Sequence, residues 1–243
     1  MARGFSIPDK GTAGGRPLLT MRLLTYYTPS HADMCRRFVL SRAWAFSEVR
    51  AIEYQQTCPT GAFKQPGWNR CMDDKLDALL RLPVDGEPTL YVDSDVILWP
   101  GACQWAENHI RGMSFDEIAY SDDVVQWCAG VMLFRPTTKT RRWWELVADM
   151  SRLLDQPDQD VIHALRTNAK SLPVPMSVMP SDKVANWATL GNTSVWQGES
   201  IAVPKSCYIW HANWCVGVEA KMKMLEQVAL SGKPQGVPVS SLD

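Results

Sequence analysis

Two aspartates interrupt the clearest strand-like segment of the chain, TLYVDSDVILW at residues 89–99. Apolar residues flank Asp93 and Asp95 on both sides, and a carboxylate buried among them needs a compensating charge. Alternate residues of a strand point to the same face, so we expect both carboxylates on one side and Ser94 on the other. Helix capping or ion pairs with Arg or Lys are the structural alternative. Paired carboxylate oxygens indicate a site for a hard divalent cation, Mg²⁺ or Mn²⁺.

Strand-like and helix-like segments alternate along the sequence. The predicted strands are at 21–28, 48–54, 89–99, 117–120, 130–135 and 206–210, and the predicted helices at 32–44, 73–82, 101–112, 141–154, 159–166 and 218–229. This alternation predicts an α/β fold with a mainly parallel central sheet and helices on both faces. Ligands of such sheets bind beyond the carboxyl ends of the strands, and the aspartate pair is expected at that edge.

Length predicts a single folded unit. A chain of 243 residues suits one domain, which we assign to 21–230. The Gly- and Pro-containing segments 1–20 and 231–243 are predicted to be flexible tails. An irregular stretch at 171–203 holds only short strand candidates, and long loops of this kind are often functional.

Charge and cysteine content narrow the class of protein. The formal net charge of -1 gives no basic footprint for non-specific binding of nucleic acid or anionic membranes. No apolar run approaches the ~20 residues of a membrane span, and residues 1–17 lack the apolar core of a signal peptide. Seven cysteines without a C-x-x-C pair suit a reducing compartment. The sequence therefore predicts a cytoplasmic protein.

Two further segments carry candidate site residues. His211 follows an apolar strand, and Lys221 lies in the helix after it. The imidazole can complete a metal site with the aspartates, and the ammonium group can neutralise phosphate, although a structural histidine is the simpler interpretation. Residues 158–160, Asp-Gln-Asp, precede an apolar helix, where acids in the first turn are also ordinary helix initiation.

Aromatic and histidine side chains give weaker signals. Four of the 11 tryptophans lie in or near polar segments and are candidates for stacking on a sugar ring or a base, with core packing as the alternative: Trp127, Trp187, Trp196 and Trp214. The three other histidines are predicted to be structural or at the surface: His31, His109 and His163.

The order of these features resembles that of the GT-A-fold nucleotide-diphospho-sugar transferases. The resemblance covers residues 21–230 and is strongest to the retaining galactosyltransferase and glycogenin-like enzymes and the plant xylosyltransferase-like group. Asp93 and Asp95 match the family's strand-embedded D-x-D, and residues 128–133 are similar to its "N-A-G-V-L-L" strand. Residues 158–160 match its D-Q-D helix start, and His211 and Lys221 match its late metal-binding histidine and phosphate-binding lysine.

The resemblance implies a metal-dependent glycosyltransferase that uses a nucleotide-diphosphate sugar. A UDP-sugar is the expected donor, GDP-sugar the second choice, and retention of anomeric configuration the expected outcome. By the same likeness, Asp158 contacts donor-sugar hydroxyls and Gln159 lies near the anomeric carbon. The expected ligands of Mn²⁺ or Mg²⁺ are Asp93, Asp95 and His211. The expected donor-binding residues are Tyr26, Tyr27, Lys75, Asp93, Ser94, Ala129, Gly130 and Lys221.

This interpretation leaves the identity of the acceptor open. A glycan, a protein, a small molecule or a modified nucleic acid are the candidates, and 171–203 is the expected acceptor-binding segment. Cys128 stands where many relatives carry an asparagine that touches the donor sugar, so the identity of the sugar is open as well.

Two other functions compete with sugar transfer. A haloacid-dehalogenase-type phosphatase or phosphotransferase also uses D-x-D after an apolar strand, and Asp122 and Asp123 could serve as its late acidic pair. Against it, that strand normally lies near the N-terminus, and His211, Asp158 and Lys221 would have no role. The second competitor is a module that binds a nucleotide sugar and has lost activity.

Overall fold

The computed structural model describes residues 20–59, 65–168 and 172–231. The strands within these ranges are, in chain order, β1 Arg22–Tyr27, β2 Glu48–Glu53, β3 Thr89–Val92, β4 Val96–Leu98, β5 Ile118–Asp122, β6 Trp127–Phe134, β7 Met176–Val178, β8 Val184–Asn186 and β9 Ile209–His211. They form a six-stranded sheet with the order β2-β1-β3-β6-β5-β7 and a three-stranded sheet with the order β4-β9-β8.

Helices connect most of the strands. They are α1 at 29–45, α2 Trp68–Leu80, α3 Ala102–Arg111, α4 Thr138–Leu154, α5 Asp158–Asn168 and α6 Val218–Ser231. The segment predicted as one α-helix at 32–44 is irregular, because α1 joins 3₁₀ turns at Pro29–His31 and Leu40–Ala45 to an α-turn and a π-helical turn. The helix predicted at 73–82 begins earlier, at Trp68.

The large sheet is mixed rather than purely parallel. β1 pairs in parallel with both β2 and β3, and β5 pairs in parallel with β7. β6 is antiparallel to both of its neighbours, β3 and β5. The connection between β5 and β6 covers only 123–126, and so short a link allows only an antiparallel hairpin. The predicted α/β class is confirmed, with this one strand reversed.

Each face of the large sheet carries its own hydrophobic core. Leu23, Leu90 and Leu133 pack on one face against α1 and α3. Leu24 and Met132 are next to them in sequence and face the other way, against α2, α4 and α5. Alternation along buried strands thus covers the sheet on both faces, as predicted. A third core joins the small sheet to α6.

The acidic segment departs from the predicted geometry. Residues 89–99 are not one strand, because β3 ends at Val92 in the large sheet and β4 begins at Val96 in the small one. Asp93, Ser94 and Asp95 form the turn between the two sheets. The expected alternation of faces is therefore wrong. The two carboxylates come together because the chain changes direction at the carboxyl end of β3.

The remaining predictions fall near the observed elements. The last predicted strand, 206–210, is the shorter β9, which includes His211. The described part of 171–203 contains two three-residue strands, β7 and β8, and a 3₁₀ turn at Ala188–Leu190. The predicted tails lie almost wholly outside the described residues, and the domain limits stay predictions. None of the helices in the described ranges is long and apolar enough to span a bilayer.

Candidate functional site

Three potential metal ligands converge beyond the carboxyl end of β3. Asp93 and Asp95 belong to the turn after that strand, and His211 ends β9, which pairs with β4 so that Val96 lies opposite His211. His211 Nε2 is 3.3 Å from Asp95 Oδ1 and 3.9 Å from Asp93 Oδ2. One ligand atom from each side chain lies within 4.8 Å of the others. The structure therefore brings together the three ligands predicted from the sequence.

The surrounding cleft is rich in negative charge. It has a volume of about 400 Å³, and five aspartates but only two lysines line it. Two carboxylates and an imidazole are a donor set that divalent cations such as Mn²⁺ accept. A cation of this kind would also offset the excess of acidic groups, so the residues fit a divalent cation such as the resemblance implies.

Both lysines of the cleft pair with aspartates. Lys75 is only 2% exposed, and its Nζ is 2.9 Å from Asp158 Oδ2 and 3.6 Å from Asp93 Oδ1. Lys221 Nζ is 2.6 Å from Asp95 Oδ2. Burial alone would lower the pKa of Lys75, but Asp158 and Asp93 raise it above its usual value. Both ammonium groups therefore stay charged next to the metal ligands.

The two acidic ligands titrate differently. Burial raises the pKa of Asp93, and Lys75 offsets only part of this effect. Burial also acts on Asp95, but Lys221 and His211 outweigh it and hold the pKa of Asp95 well below its usual range. Burial opposes protonation of His211, yet the Asp95 carboxylate raises the pKa of His211 well above its usual value. A proton and a metal ion therefore compete for the His211 ring.

The imidazole ring of His211 packs against Gly130 of β6. A Cβ atom at position 130 would lie 2.1 Å from His211 Cε1 and 2.9 Å from Asp93 Oδ2. The backbone N–H of Asp93 donates to the Gly130 carbonyl over 2.8 Å. Gly130 was predicted as a donor-binding residue, and in this structure its contacts are with the metal ligands.

Gln159 is held in one orientation at the start of α5. Its Oε1 accepts from the Ala129 backbone N–H at 3.4 Å, and its Nε2 donates to Asp123 Oδ2 at 3.3 Å. Asp123 also accepts from the Trp214 indole at 2.5 Å. In the sequence, Asp123 had a role only in the phosphatase alternative, so its contact with Gln159 was not predicted. The available signal was an acidic pair that closes the apolar strand β5.

His31 is a further residue of the cleft. It was predicted to be structural or at the surface, but it lines the cleft together with Tyr26, Tyr27 and Ser94. Burial and the charge of Lys221 lower the pKa of His31 to about 4, so its imidazole is neutral at physiological pH. No local residue pattern predicts this position, because the cleft brings His31 together with residues that are distant in the sequence.

The tryptophan candidates divide into two groups. Trp187 and Trp196 are 5% and 7% exposed and belong to the third core. Trp127 stacks on Tyr120 with ring centroids 5.7 Å apart. Of the four candidates only Trp214 lines the cleft, where it is joined by Trp68, which was not among them. Stacking on a ligand therefore stays a prediction for Trp214 alone.

A two-sided α/β sheet whose carboxyl edge presents a D-x-D turn, an imidazole and a lysine is the arrangement that the family resemblance implies. The family model for nucleotide-diphospho-sugar transferases matches residues 49–225. The chain therefore belongs to the nucleotide-diphospho-sugar transferase family. This assignment removes the haloacid-dehalogenase alternative.

Solved structures support the same fold. The galactosyltransferase LgtC, solved with donor and acceptor sugar analogs, is similar with a TM-score of 0.53 and 12% identity, over 90% of this chain and 98% of that one. A glycosyltransferase involved in glycosylation of the major capsid of PBCV-1 has a TM-score of 0.50 and 11% identity, over 84% and 98% of the two chains. At this identity the likeness shows the fold alone, and the predicted GT-A fold is confirmed. Curated protein sequences give no significant match.

Proposed function

We propose that this chain transfers a sugar from a UDP-sugar to an acceptor, with retention of configuration and with a divalent cation bound by Asp93, Asp95 and His211. The convergence of these three side chains at the carboxyl edge of the sheet carries the proposal. Membership in the nucleotide-diphospho-sugar transferase family supports the class of donor. Mn²⁺ and Mg²⁺ are the candidate cations.

Transfer breaks the bond between the anomeric carbon and the diphosphate, so negative charge grows on the leaving group. The bound cation would act there as a Lewis acid. Lys221 adds a fixed positive charge beside Asp95, where it can stabilise the departing diphosphate electrostatically. Lys75 has a different part, because its buried ammonium group pairs with the carboxylates of Asp158 and Asp93.

The start of α5 is the proposed position of the donor sugar. Asp158 would accept hydrogen bonds from the sugar hydroxyls, and it lies in the first turn of the helix. Gln159 would lie near the anomeric carbon, with its amide held by Ala129 and Asp123 as described above. Because both partners of the amide are fixed, Gln159 does not need to be ordered when the donor binds.

The acceptor is proposed to enter at the side of the cleft formed by Val195, Trp214 and Val216. Val195 comes from the segment 171–203, for which acceptor binding was predicted. The formal net charge of -1 gives no basic footprint for a nucleic acid, which is therefore the least supported candidate. A glycan, a protein side chain or a neutral small molecule fits better.

The test is nucleotide release from a panel of UDP- and GDP-sugars, with Mn²⁺ or with EDTA. We expect release from at least one UDP-sugar, dependent on metal and abolished by Asp95→Asn. Asp116→Asn is the matched control, since Asp116 pairs with Lys139 outside the cleft. No metal-dependent release with any donor would defeat the proposal. Tight binding of a nucleotide sugar without turnover would instead support the inactive module.

A further inference from the structure

The sulfur of Cys128 lies behind the His211 imidazole. His211 Nε2 faces the carboxylates, 3.3 Å from Asp95 Oδ1, whereas Nδ1 on the other side of the ring is 3.5 Å from Cys128 Sγ. Cys128 is 1% exposed and belongs to β6. The proposed reaction does not use this sulfur, so its contacts need an explanation of their own.

Two other N–H groups point at the same sulfur. The Gly130 backbone N–H donates to Cys128 Sγ at 3.3 Å, and Asn213 Nδ2 donates to it at 3.7 Å. A backbone N–H and an amide NH₂ have only protons to offer, so toward both partners the sulfur acts as an acceptor. These surroundings favour a third hydrogen bond of the same kind, in which His211 Nδ1–H donates to the sulfur.

The direction of that hydrogen bond decides what Nε2 can bind. A neutral imidazole carries one ring proton, and a proton on Nδ1 leaves the Nε2 lone pair directed at the carboxylates of Asp93 and Asp95. A thiol that donated to Nδ1 would force the proton onto Nε2 and close that nitrogen to a cation. Metal-bound histidines generally donate their second N–H to an acceptor that fixes the tautomer.

We propose that Cys128 is a positioning residue, whose sulfur accepts the Nδ1–H of His211 and holds the tautomer that offers Nε2 to the divalent cation. The inference rests on the proposed function through its metal site, but its claim concerns cation binding alone. Gly130 gives the ring its packing surface, and Cys128 fixes which nitrogen carries the proton.

The affinity of the full chain for Mn²⁺, measured from the electron paramagnetic resonance signal of the free ion, tests this role. Cys128→Ala should raise the Kd for Mn²⁺ by ~10–100-fold, the usual effect of losing an outer partner of a metal ligand. Cys128→Ser keeps an acceptor and should raise it by less. Cys103→Ala is the matched control, because it removes a buried sulfur from α3, outside the cleft.

A second measurement separates positioning from a general effect on folding. The ring ¹⁵N shifts of His211, in a chain with four histidines, report the tautomer in the presence of Mg²⁺. We expect a protonated Nδ1 in the wild type and a mixture of tautomers in Cys128→Ala. If both Cys128 variants fail to fold, the wild-type spectrum alone decides.

Three results would overturn the inference. They are a wild-type His211 protonated on Nε2 with Mg²⁺ present, a Cys128→Ala variant that binds Mn²⁺ as tightly as the wild type, and a wild type that binds no Mn²⁺. A chain that binds Mn²⁺ in a Cys128-dependent way but releases nucleotide from no sugar donor would refute the proposed function and leave this inference standing.

Discussion

Replacing Gly130 by alanine would put a methyl group where the His211 imidazole lies. The added Cβ would be 2.1 Å from His211 Cε1, 2.7 Å from Nδ1, and 2.9 Å from Asp93 Oδ2. Carbon atoms in contact rest ~3.5–4.0 Å apart, so the ring has to move by roughly 1.5 Å or β6 has to shift. His211 is 5% exposed, so either movement disturbs packed neighbours.

Metal binding and sugar transfer should fall together in Gly130→Ala. Misplacing a catalytic group by about 1 Å costs on the order of 100-fold in rate, so kcat/KM should drop by at least that factor. The Kd for Mn²⁺ should rise by about tenfold or more, and overpacking should reduce the free energy of unfolding by about 1–3 kcal/mol. Nucleotide release at varied Mn²⁺ concentrations and urea unfolding measure these quantities.

Gly112→Ala is the control for this substitution. Gly112 has an ordinary backbone conformation at the end of α3, and a Cβ there meets its nearest atom at 3.5 Å. This variant should keep the activity and the Mn²⁺ affinity of the wild type. A Gly130→Ala variant with wild-type metal affinity and turnover would refute the idea that β6 fixes the position of the imidazole.

Three other perturbations follow from the contacts of the cleft. Lys75→Met leaves Asp158 without its buried cation and should lower the free energy of unfolding in urea by about 3–5 kcal/mol. Asp123→Asn weakens the hydrogen bond that orients Gln159 and should reduce kcat by about tenfold, with an unchanged Kd for Mn²⁺. Mn²⁺ at about 100 times its Kd should stabilise the chain by ~2.7 kcal/mol, seen as a higher Tm that EDTA reverses.

Each of these expectations has a result that contradicts it. Lys139→Met breaks an exposed ion pair with Asp116 and should change the free energy of unfolding little. Equal destabilisation by Lys75→Met and Lys139→Met would show that the buried pair of Lys75 contributes no more to stability than the exposed one. Loss of Mn²⁺ affinity in Asp123→Asn would show that Asp123 supports the metal site and not only the orientation of Gln159. A Tm that ignores Mn²⁺ would argue against a preformed cation site.

The periodicity of apolar residues in the sequence was sufficient to predict most of the helices and strands. The helix predicted at 101–112 corresponds to Ala102–Arg111, and the one predicted at 218–229 to Val218–Ser231. The direction of a strand does not appear in such patterns, because the apolar run at 130–135 has the same composition in either direction. The antiparallel pairing of β6 was therefore missed, although the short link 123–126 is the physical reason for it.

Site residues were predictable where burial makes a polar group costly. Asp93, Asp95 and His211 stand out because each breaks or ends an apolar strand, and the structure brings them together. His31 and Asp123 belong to the same cleft but act through contacts between distant segments. Their positions depend on the tertiary fold, and no local pattern of residue types encodes such contacts.

The reversed strand has a consequence for the site itself. Val92 at the end of β3 lies opposite Val131 of β6, so residues 128–130 continue past β3 along the turn that carries Asp93. The site therefore receives the ends of the parallel strands β1 and β3 and the beginning of β6. A parallel strand at this position would bring its last residues to this edge and its first residues to the opposite one. His211 would then lose the glycine on which it packs and the sulfur at its Nδ1, so the antiparallel pairing of β6 is part of what builds the metal site.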